Sequence, residues 1–377
     1  MKLKNYIIHS QGLIYDAANA AVEEAIAYYT SLCPLANGNW LAVWQCGRDK
    51  HSPDNTLRLG RSIDGAKSWQ RLEVTLNRQF QQVQGSFLSG EMVEVSPGRI
   101  LLFATWVDRS VPERPLFNPE TEGILPTRIL VCESIDEGNH WSDWSEVETA
   151  QRTGCAITGP IIQWPDGVIG CCFESFKEYD DFTKVDQMTW MVLSDDQGKT
   201  FSEPILVATD PKQEQYYWDQ RICPWGETGY LAMFWTHSRS QSKDLHVHLV
   251  KGQRGVPNRT APSITCIPGQ IAACCAAADN RIVAFVVNRD RPGTMTLWQS
   301  DDEGSSWPEH ARVVVHVHDE QAAITQGLTN IDFASFWDDM GKWSFGHPAL
   351  RPLENGWLVA WYAGSPTRMS IHCAHVK

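Results

Sequence analysis

Short runs of apolar residues recur along the chain, and each run follows a turn made of polar residues, proline or glycine. Six such units begin at Asn37, Pro97, Asp166, Thr228, Asp279 and Asn355. A tight turn that leads into an apolar run is typical of a β-hairpin with one buried strand. Each turn is also preceded by another short strand-like stretch. The pattern therefore predicts an all-β protein with little helix.

A second motif, Ser-x-Asp followed by glycine and then an aromatic residue, recurs four times. Its copies begin at Ser62, Ser134, Ser194 and Ser300, at intervals of 72, 60 and 106 residues. The Asp side chain can accept hydrogen bonds from turn amides, glycine permits a positive φ, and the aromatic ring fills the gap between strands. The last interval is close to two periods, so the motif marks a structural repeat.

The two motifs together predict the architecture of the chain. Six hairpins at intervals of about 50 to 75 residues suit four-stranded blades with inserted loops. We therefore predict a six-bladed β-propeller of four-stranded antiparallel blades, in a single domain over residues 1–377. Loops inserted between strands are expected at residues 111–127, 177–187 and 318–341.

The Ser-x-Asp turns resemble the Asp boxes of the sialidase-like superfamily, whose propellers include glycosidases, polysaccharide lyases and non-catalytic proteins. The resemblance implies a carbohydrate substrate. It also implies that the active site lies opposite the Asp boxes, where first strands start and second strands end. Family sialidases bind a carboxylate with three arginines and use a tyrosine nucleophile polarised by Glu, with an Asp acid/base. The first arginine would fall in residues 27–34, which contain none.

Polar and ionisable residues occupy the positions that would surround this mouth. The candidate catalytic residues are Glu91, Glu174, Asp219, His347 and Tyr362. The candidate substrate-binding residues are Arg48, Lys177, Arg221, Trp235, His237, Gln270 and Arg289. By blade order, Arg221 and Arg289 would match the family's second and third arginines. Asp54, which precedes the first Asp box, is a further candidate for the acid.

Hydrolysis of a terminal anionic sugar is the reaction that we expect. It needs a proton donor and either a nucleophile or a base that activates water, which Glu91, Glu174 and Asp219 could supply. Tyr362 beside Glu174 would reproduce the family's tyrosine nucleophile. Arg221 would hold the anionic group, so we expect Arg221→Ala to abolish turnover with little loss of folding.

Two other functions also fit these residues. β-Elimination on a uronate would use His237 or His347 as the base, with Arg221 stabilising the enolate. A non-catalytic carbohydrate-binding propeller would present aromatic residues at the mouth without a converging acid and base. Acids at the mouth are as frequent as histidines, and the resemblance points to hydrolysis.

Composition and charge limit the partners of the chain. A formal net charge of −13 disfavours nucleic acid and anionic membranes, although a local arginine cluster can still bind a small anion. The 11 cysteines include no CxxC pair with zinc spacing, so we expect neither a metal nor another cofactor. The first residues lack a signal-peptide pattern, and no window resembles a membrane helix. We therefore expect a cytoplasmic protein.

Overall fold

The structure is a computed structural model that describes residues 3–277, 279–290, 292–318, 340–341 and 343–377. Nearly all regular structure in these residues is β-strand, and the short 3-10 helices Val22–Glu24 and Glu309–Ala311 interrupt it. The prediction of an all-β protein is confirmed for the described part of the chain. In that part, no helix is long and apolar enough to cross a membrane.

The strands follow one another with short connections. The first ten are β1 (Ile8–Tyr15), β2 (Ile26–Pro34), β3 (Trp40–Gly47), β4 (Thr56–Ser62), β5 (Gln70–Leu72), β6 (Gln79–Phe80), β7 (Val83–Ser96), β8 (Arg99–Asp108), β9 (Thr127–Ser134) and β10 (Ser145–Glu146). The next nine are β11 (Ile162–Gln163), β12 (Ile169–Ser175), β13 (Met188–Ser194), β14 (Ile205–Ala208), β15 (Gln215–Trp225), β16 (Gly229–Ser238), β17 (Lys243–Asp244), β18 (His248–Gln253) and β19 (Ser263–Ile264). The last seven are β20 (Ala272–Ala276), β21 (Ile282–Asn288), β22 (Gly293–Ser300), β23 (Val313–His318), β24 (Phe345–Leu353), β25 (Gly356–Ser365) and β26 (Arg368–Val376).

Within the described residues these strands form antiparallel sheets that follow one another along the chain. The eight-stranded sheet has the order β24-β25-β26-β2-β3-β4-β5, with β1 paired to β26. It consists of two four-stranded sets, β2–β5 and β24–β26 with β1. One parallel pair, between Ile26 and Met369, joins the two sets. The other sheets comprise β6–β10, β11–β14, β15–β19 and β20–β23.

All six predicted hairpins are present, and their first strands contact one another in sequence. The hairpins pair β2 with β3, β7 with β8, β11 with β12, β15 with β16, β20 with β21 and β24 with β25. Strand β2 contacts β7, and the contacts continue through β11, β15, β20 and β24 back to β2. The second strands are buried almost throughout, because their apolar side chains pack between neighbouring sheets.

The four Ser-x-Asp turns share one pattern of hydrogen bonds. In the turn after β13, the Ser194 hydroxyl donates to Asp196 Oδ1 over 2.8 Å, and the Lys199 and Thr200 amides donate to the same oxygen over 3.0 Å. The corresponding serine hydroxyls donate over 2.7–2.9 Å to Asp64, Asp136 and Asp302. Each turn joins the third and fourth strands of a set.

Two of the predicted loops lie between strands, and they contact each other. Residues 111–127 follow β8, and residues 177–187 follow β12. Ile124 of the first loop pairs with Glu178 of the second, and Asn118 Nδ2 donates to the Tyr179 carbonyl over 2.9 Å. The third predicted loop, residues 318–341, falls almost entirely outside the described residues.

Candidate active site

Three of the first strands, β2, β15 and β24, carry the same β-bulge. In each strand two residues face a single residue of the following strand, and the pairs are Tyr29–Thr30, Asp219–Gln220 and His347–Pro348. The first residue of each pair has a positive φ, 49° for Tyr29, 50° for Asp219 and 52° for His347. Such backbone strain costs about 1–3 kcal/mol per residue and is concentrated at functional sites. Because a bulge re-aims a side chain, all three residues are candidates for a shared site.

These three side chains line two joined cavities. The larger encloses about 800 Å³, its open mouth included, and the smaller about 370 Å³. Tyr29, Asp219 and Trp235 line both. Glu174 and the apolar side chains of the inserted loop 111–127 complete the larger cavity, whereas His347 and the cationic residues lie in the smaller. The combined site therefore has an apolar side and a charged side.

Glu174 is a half-buried carboxyl group whose surroundings favour its protonated form. Its Oε1 accepts hydrogen bonds from Thr158 Oγ1 over 2.8 Å and from the backbone N–H of Gln220 over 3.1 Å. Burial and the nearby charge of Asp219 raise the pKa of Glu174 to about 8, which outweighs these hydrogen bonds. At neutral pH the group can therefore donate a proton.

Asp219 is the second carboxyl group of the site. Burial raises its pKa, while the guanidinium groups of Arg221 and Arg289 act in the opposite direction. Two interacting carboxyl groups in one cavity do not both ionise readily. The two arginines favour the ionised form of Asp219.

His347 is a neutral imidazole beside Arg221. Arg221 Nη2 lies 3.0 Å from Nδ1 and 3.3 Å from Nε2 of His347, and 3.7 Å from Asp219 Oδ1. Because Nη2 is almost equidistant from the two ring nitrogens, it lies over the face of the ring and not in line with either lone pair. Burial and the charges of Arg221, Arg289 and Lys50 lower the pKa of His347 well below its ordinary value. The neutral imidazole has one N–H to donate and one lone pair to accept.

Lys50 and Arg289 supply positive charge to the smaller cavity. Lys50 Nζ donates to the Tyr362 hydroxyl over 3.1 Å, to the Met340 carbonyl over 3.0 Å and to the Trp343 carbonyl. The Arg289 guanidinium stacks on Trp343, with 4.0 Å between Cζ and the ring centroid. Burial raises the pKa of Tyr362, and Arg289 opposes this rise. Among the described residues, no hydrogen bond joins Tyr362 to Glu174, the partner that the sequence suggested.

Six of the predicted residues line the joined cavities. They are Glu174, Asp219, Trp235, Arg289, His347 and Tyr362. Glu91 and Arg221 instead line a separate cavity of about 280 Å³. There the Ser31 hydroxyl donates to Glu91 Oε2, and burial raises the pKa of Glu91 against the charges of Arg351 and Arg221. Arg221 reaches the main site only through His347 and Asp219.

The structure corrects the placement of Arg48 and Lys177, neither of which lines the joined cavities. The Arg48 side chain is 55% exposed and pairs with Glu23 over 2.9 Å and with Asp54 over 3.5 Å. Lys177 Nζ donates to the Thr183 carbonyl of its own loop over 2.9 Å. Both cations are therefore held away from the site by partners in their own loops. Asp54, which pairs with Arg48, is held away from the site as well.

His237 and Gln270 lie behind the cavity wall, which also corrects their placement. His237 Nδ1 is 3.0 Å from Asp244 Oδ1, and the His237 ring stacks on Trp218, a lining residue. Gln270 Nε2 donates to Asp244 over 3.3 Å, and its Oε1 accepts the Arg289 amide hydrogen over 3.0 Å. These contacts support the wall and the backbone of Arg289.

Sequence reasoning did not select Tyr29 and Lys50, although both line the cavity. Tyr29 stands beside Tyr28 in the first strand, and the sequence alone gives no reason to prefer one over the other. The feature that distinguishes Tyr29 is the β-bulge, and the bulge follows from the pairing register of β2 with β3. Lys50 stands two positions after Arg48 in the same connection, and only its burial distinguishes it.

Comparisons with solved structures show which known fold the chain resembles. No protein-family model matches the chain, and no curated protein sequence matches it. A protein of unknown function from Dyadobacter fermentans is similar in structure, with 15% identity, 99% coverage of each chain and a TM-score of 0.72. A Hadza microbial sialidase has 11% identity over 97% of this chain and 68% of its own, with a TM-score of 0.63. The intramolecular trans-sialidase from Ruminococcus gnavus has 11% identity, 96% coverage of each chain and a TM-score of 0.63. The chain therefore has a sialidase-like fold.

Proposed function

We propose that the protein is an exo-acting glycoside hydrolase that removes a terminal anionic sugar from a glycan or oligosaccharide. The pair of carboxyl groups in the joined cavities carries this proposal. The surroundings favour the protonated form of Glu174, the arginines favour the ionised form of Asp219, and both residues line the larger cavity. Glycoside hydrolysis needs one carboxyl group in each of these states.

Each carboxyl group has a distinct role in the proposed reaction. Glu174 donates its proton to the oxygen of the leaving group as the glycosidic bond breaks. Asp219 either attacks the anomeric carbon or removes a proton from an attacking water molecule. His347 and Tyr29 lie on the same side as Asp219 and can donate hydrogen bonds to the sugar.

The charge of the smaller cavity favours an anionic sugar. Lys50 and Arg289 line it, and Arg221 lies behind His347, whereas Asp219 is the ionised carboxylate there. This local excess of positive charge opposes the net charge of −13 for the whole chain. A carboxylate or a similar substituent is attracted to such a site, and its burial strengthens the interaction.

The histidines near the site favour hydrolysis over β-elimination. An eliminating base must lie within reach of the proton that it removes and must bind that proton well. His237 lies outside the joined cavities with Asp244 as its partner. Burial and neighbouring positive charges lower the pKa of His347 well below its ordinary value and that of His51, which lines both cavities, to about 4. Both are therefore weak bases, whereas the carboxyl pair suits hydrolysis.

The proposal extends to the architecture that carries the site. We propose that the sheets are six four-stranded blades of one propeller domain, and that the Ser-x-Asp turns are its Asp boxes. The contacts of the first strands from β2 through β24 and back to β2 support this arrangement. Pairing of β1 with β26 would then complete the last blade with a strand from the other end of the chain.

Incubation with glycosides of uronic acids, sialic acids and neutral sugars tests the proposed function. We expect new reducing ends from an anionic glycoside, without the ultraviolet absorbance of an unsaturated sugar. Glu174→Gln and Asp219→Asn should abolish the activity, and Arg48→Gln serves as the control. Appearance of the unsaturated product would replace hydrolysis with β-elimination, and binding without either product would indicate a carbohydrate-binding protein.

A further inference from the structure

Two adjacent tyrosines of β2 differ in how their hydroxyl groups are used. The Tyr28 hydroxyl donates to the Lys50 carbonyl inside the protein. The Tyr29 hydroxyl makes no hydrogen bond to any described residue, and the side chain lines both joined cavities. The donor of Tyr29 is therefore available to a ligand.

The ring of Tyr29 is held in place by its surroundings. Its centroid lies 4.3 Å from that of His347 in an edge-on contact and 4.8 Å from that of Tyr28. Its φ of 49° is unfavourable for a bulky side chain, so packing must maintain it. Trp44, which faces the bulge from β3, is completely buried beneath it. This arrangement orients the hydroxyl before any substrate binds.

Tyr29 and Asp219 have complementary hydrogen-bonding capacity. Burial and the charge of Asp219 raise the pKa of Tyr29 well above its ordinary value, so the phenol keeps its proton and can donate. The ionised Asp219 carboxylate can only accept. A sugar hydroxyl can do both at once, because it accepts from the phenol through a lone pair and donates its hydrogen to the carboxylate.

We propose that Tyr29 and Asp219 together bind the hydroxyl group on the carbon next to the anomeric carbon, which makes Tyr29 a specificity-determining residue. This inference rests on the proposed function, in which Asp219 serves the anomeric carbon. Oδ1 of Asp219 is fully buried 3.7 Å from Arg221 Nη2, so Oδ2 is the oxygen that faces the sugar, within reach of both the anomeric carbon and the hydroxyl on the next carbon. Hydrogen bonds to that hydroxyl strengthen in the transition state. A carboxylate in that position would be repelled by Asp219, and a CH2 group could satisfy neither partner.

The substrate class follows from this pairing. The sugar must carry an anionic group for Lys50 and Arg289 and a free hydroxyl beside the anomeric carbon for Tyr29 and Asp219. An aldose-derived uronic acid meets both requirements. A 3-deoxy-2-ketose acid such as a sialic acid has a CH2 group beside its anomeric carbon and does not. The structure thus assigns the site to uronic acid glycosides.

Glycosides that differ at a single hydroxyl test the assignment. The probes are 4-nitrophenyl glucuronide and galacturonide, their 2-deoxy counterparts and 4-nitrophenyl N-acetylneuraminide. We expect kcat/KM to fall about tenfold or more on removal of the 2-hydroxyl group, which corresponds to one buried hydrogen bond. Tyr29→Phe should lower kcat/KM for the uronides by a similar factor. In this variant, kcat/KM for the 2-deoxy substrates should lie within about twofold of that for the uronides.

Tyr28→Phe is the matched control. It removes an internal hydrogen bond, so it should lower Tm without changing the preference for the 2-hydroxyl group. Tyr29→Phe should keep the wild-type Tm, because its hydroxyl has no partner among the described residues. If Tyr29→Phe retains the full 2-hydroxyl preference, or if the neuraminide is the best substrate, the assignment fails while the proposed hydrolase stands.

A binding measurement separates failure of this assignment from failure of the proposed function. If no glycoside is cleaved, the hydrolase proposal fails, and isothermal titration with free glucuronate and galacturonate then decides on Tyr29. Binding that weakens about tenfold in Tyr29→Phe and not in Tyr28→Phe supports the pairing. Absence of binding to the wild-type protein, or equal binding to both variants, overturns it.

Discussion

The Arg221 guanidinium lies against the imidazole ring of His347, with Nη2 3.0 Å from Nδ1 and 3.3 Å from Nε2. Arg221 is 1% exposed and stands between this ring and the Asp219 carboxylate. Its positive charge disfavours protonation of both groups. Arg221 is therefore a positioning residue behind the cavity, whereas the sequence had placed it in contact with the substrate.

This relationship changes the expected result for an Arg221 variant. Arg221→Met should lower the free energy of unfolding by about 3–5 kcal/mol, because it removes the nearer of the two guanidinium groups that face the buried Asp219 carboxyl group. The sequence alone had suggested little loss of folding. Urea unfolding measures the difference, and the exposed Arg48→Met is the control. Wild-type stability in Arg221→Met would show that the buried pairing contributes nothing.

Glu174 should make both activity and stability depend on pH. Its pKa is about 8 in the folded protein against an ordinary value of 4.5. Between these values the folded state holds a proton that the unfolded state releases, so the Glu174 contribution to stability falls as pH rises through this interval. Glu174→Gln should remove that dependence, and wild-type kcat should fall above pH 8 as the acid deprotonates.

A Tm series from pH 4 to 9 for the wild type and Glu174→Gln checks the stability part, and a pH–rate profile checks the activity part. The difference in Tm between variant and wild type should grow with pH. Parallel curves for the two proteins would mean that Glu174 does not retain a proton in the folded state.

Arg289 should distinguish anionic from neutral substrates. Arg289→Gln removes a buried positive charge beside Asp219, so KM for an anionic glycoside should rise by about 10-fold to 100-fold. KM for a neutral analogue should change much less. Arg48→Gln provides the comparison, since Arg48 is exposed and paired with Glu23 on the surface. Equal effects of the two substitutions on the anionic substrate would argue against a cationic subsite at Arg289.

The hairpins and the Ser-x-Asp turns could be predicted because each depends on contiguous residues. In the Ser194 turn, for example, the serine, the aspartate and the amides that it binds lie within seven positions. Glu174 and Asp219 could also be selected, because each stands beside an apolar strand-like run in the sequence. These features need no knowledge of how distant strands pack.

The rest of the site depends on contacts between distant segments. The bulge at Tyr29 is stabilised by Trp44 below it and His347 beside it, which lies more than 300 positions away. In the connection after β3, the sequence suggested Arg48, yet Lys50 is the buried cation because Tyr362 and Trp343 accept its hydrogen bonds. A single sequence does not reveal which of two neighbouring cations finds such partners.

The Ser-x-Asp turns should contribute to stability and not to catalysis. Asp302 accepts hydrogen bonds from the Ser306 hydroxyl over 2.6 Å, the Ser306 amide over 2.8 Å and the Ser300 hydroxyl over 2.7 Å. These bonds lower its pKa to about 2, against an opposing effect of desolvation. Because the folded pKa is depressed, the stabilisation is present above the ordinary value of 3.8 and is lost as pH falls towards 2.

Asp302→Ala should therefore lower Tm by roughly 1–3 °C at neutral pH, since solvent screens exposed hydrogen bonds of this kind. The difference from wild type should shrink as pH falls from about 4 to about 2. Glu303→Ala is the control, because its exposed ion pair with Lys251 should contribute little. Calorimetry across this pH range, with kcat/KM measured at neutral pH, checks both parts. A large loss of kcat/KM without a change in Tm would place the turn in the reaction and not in the scaffold.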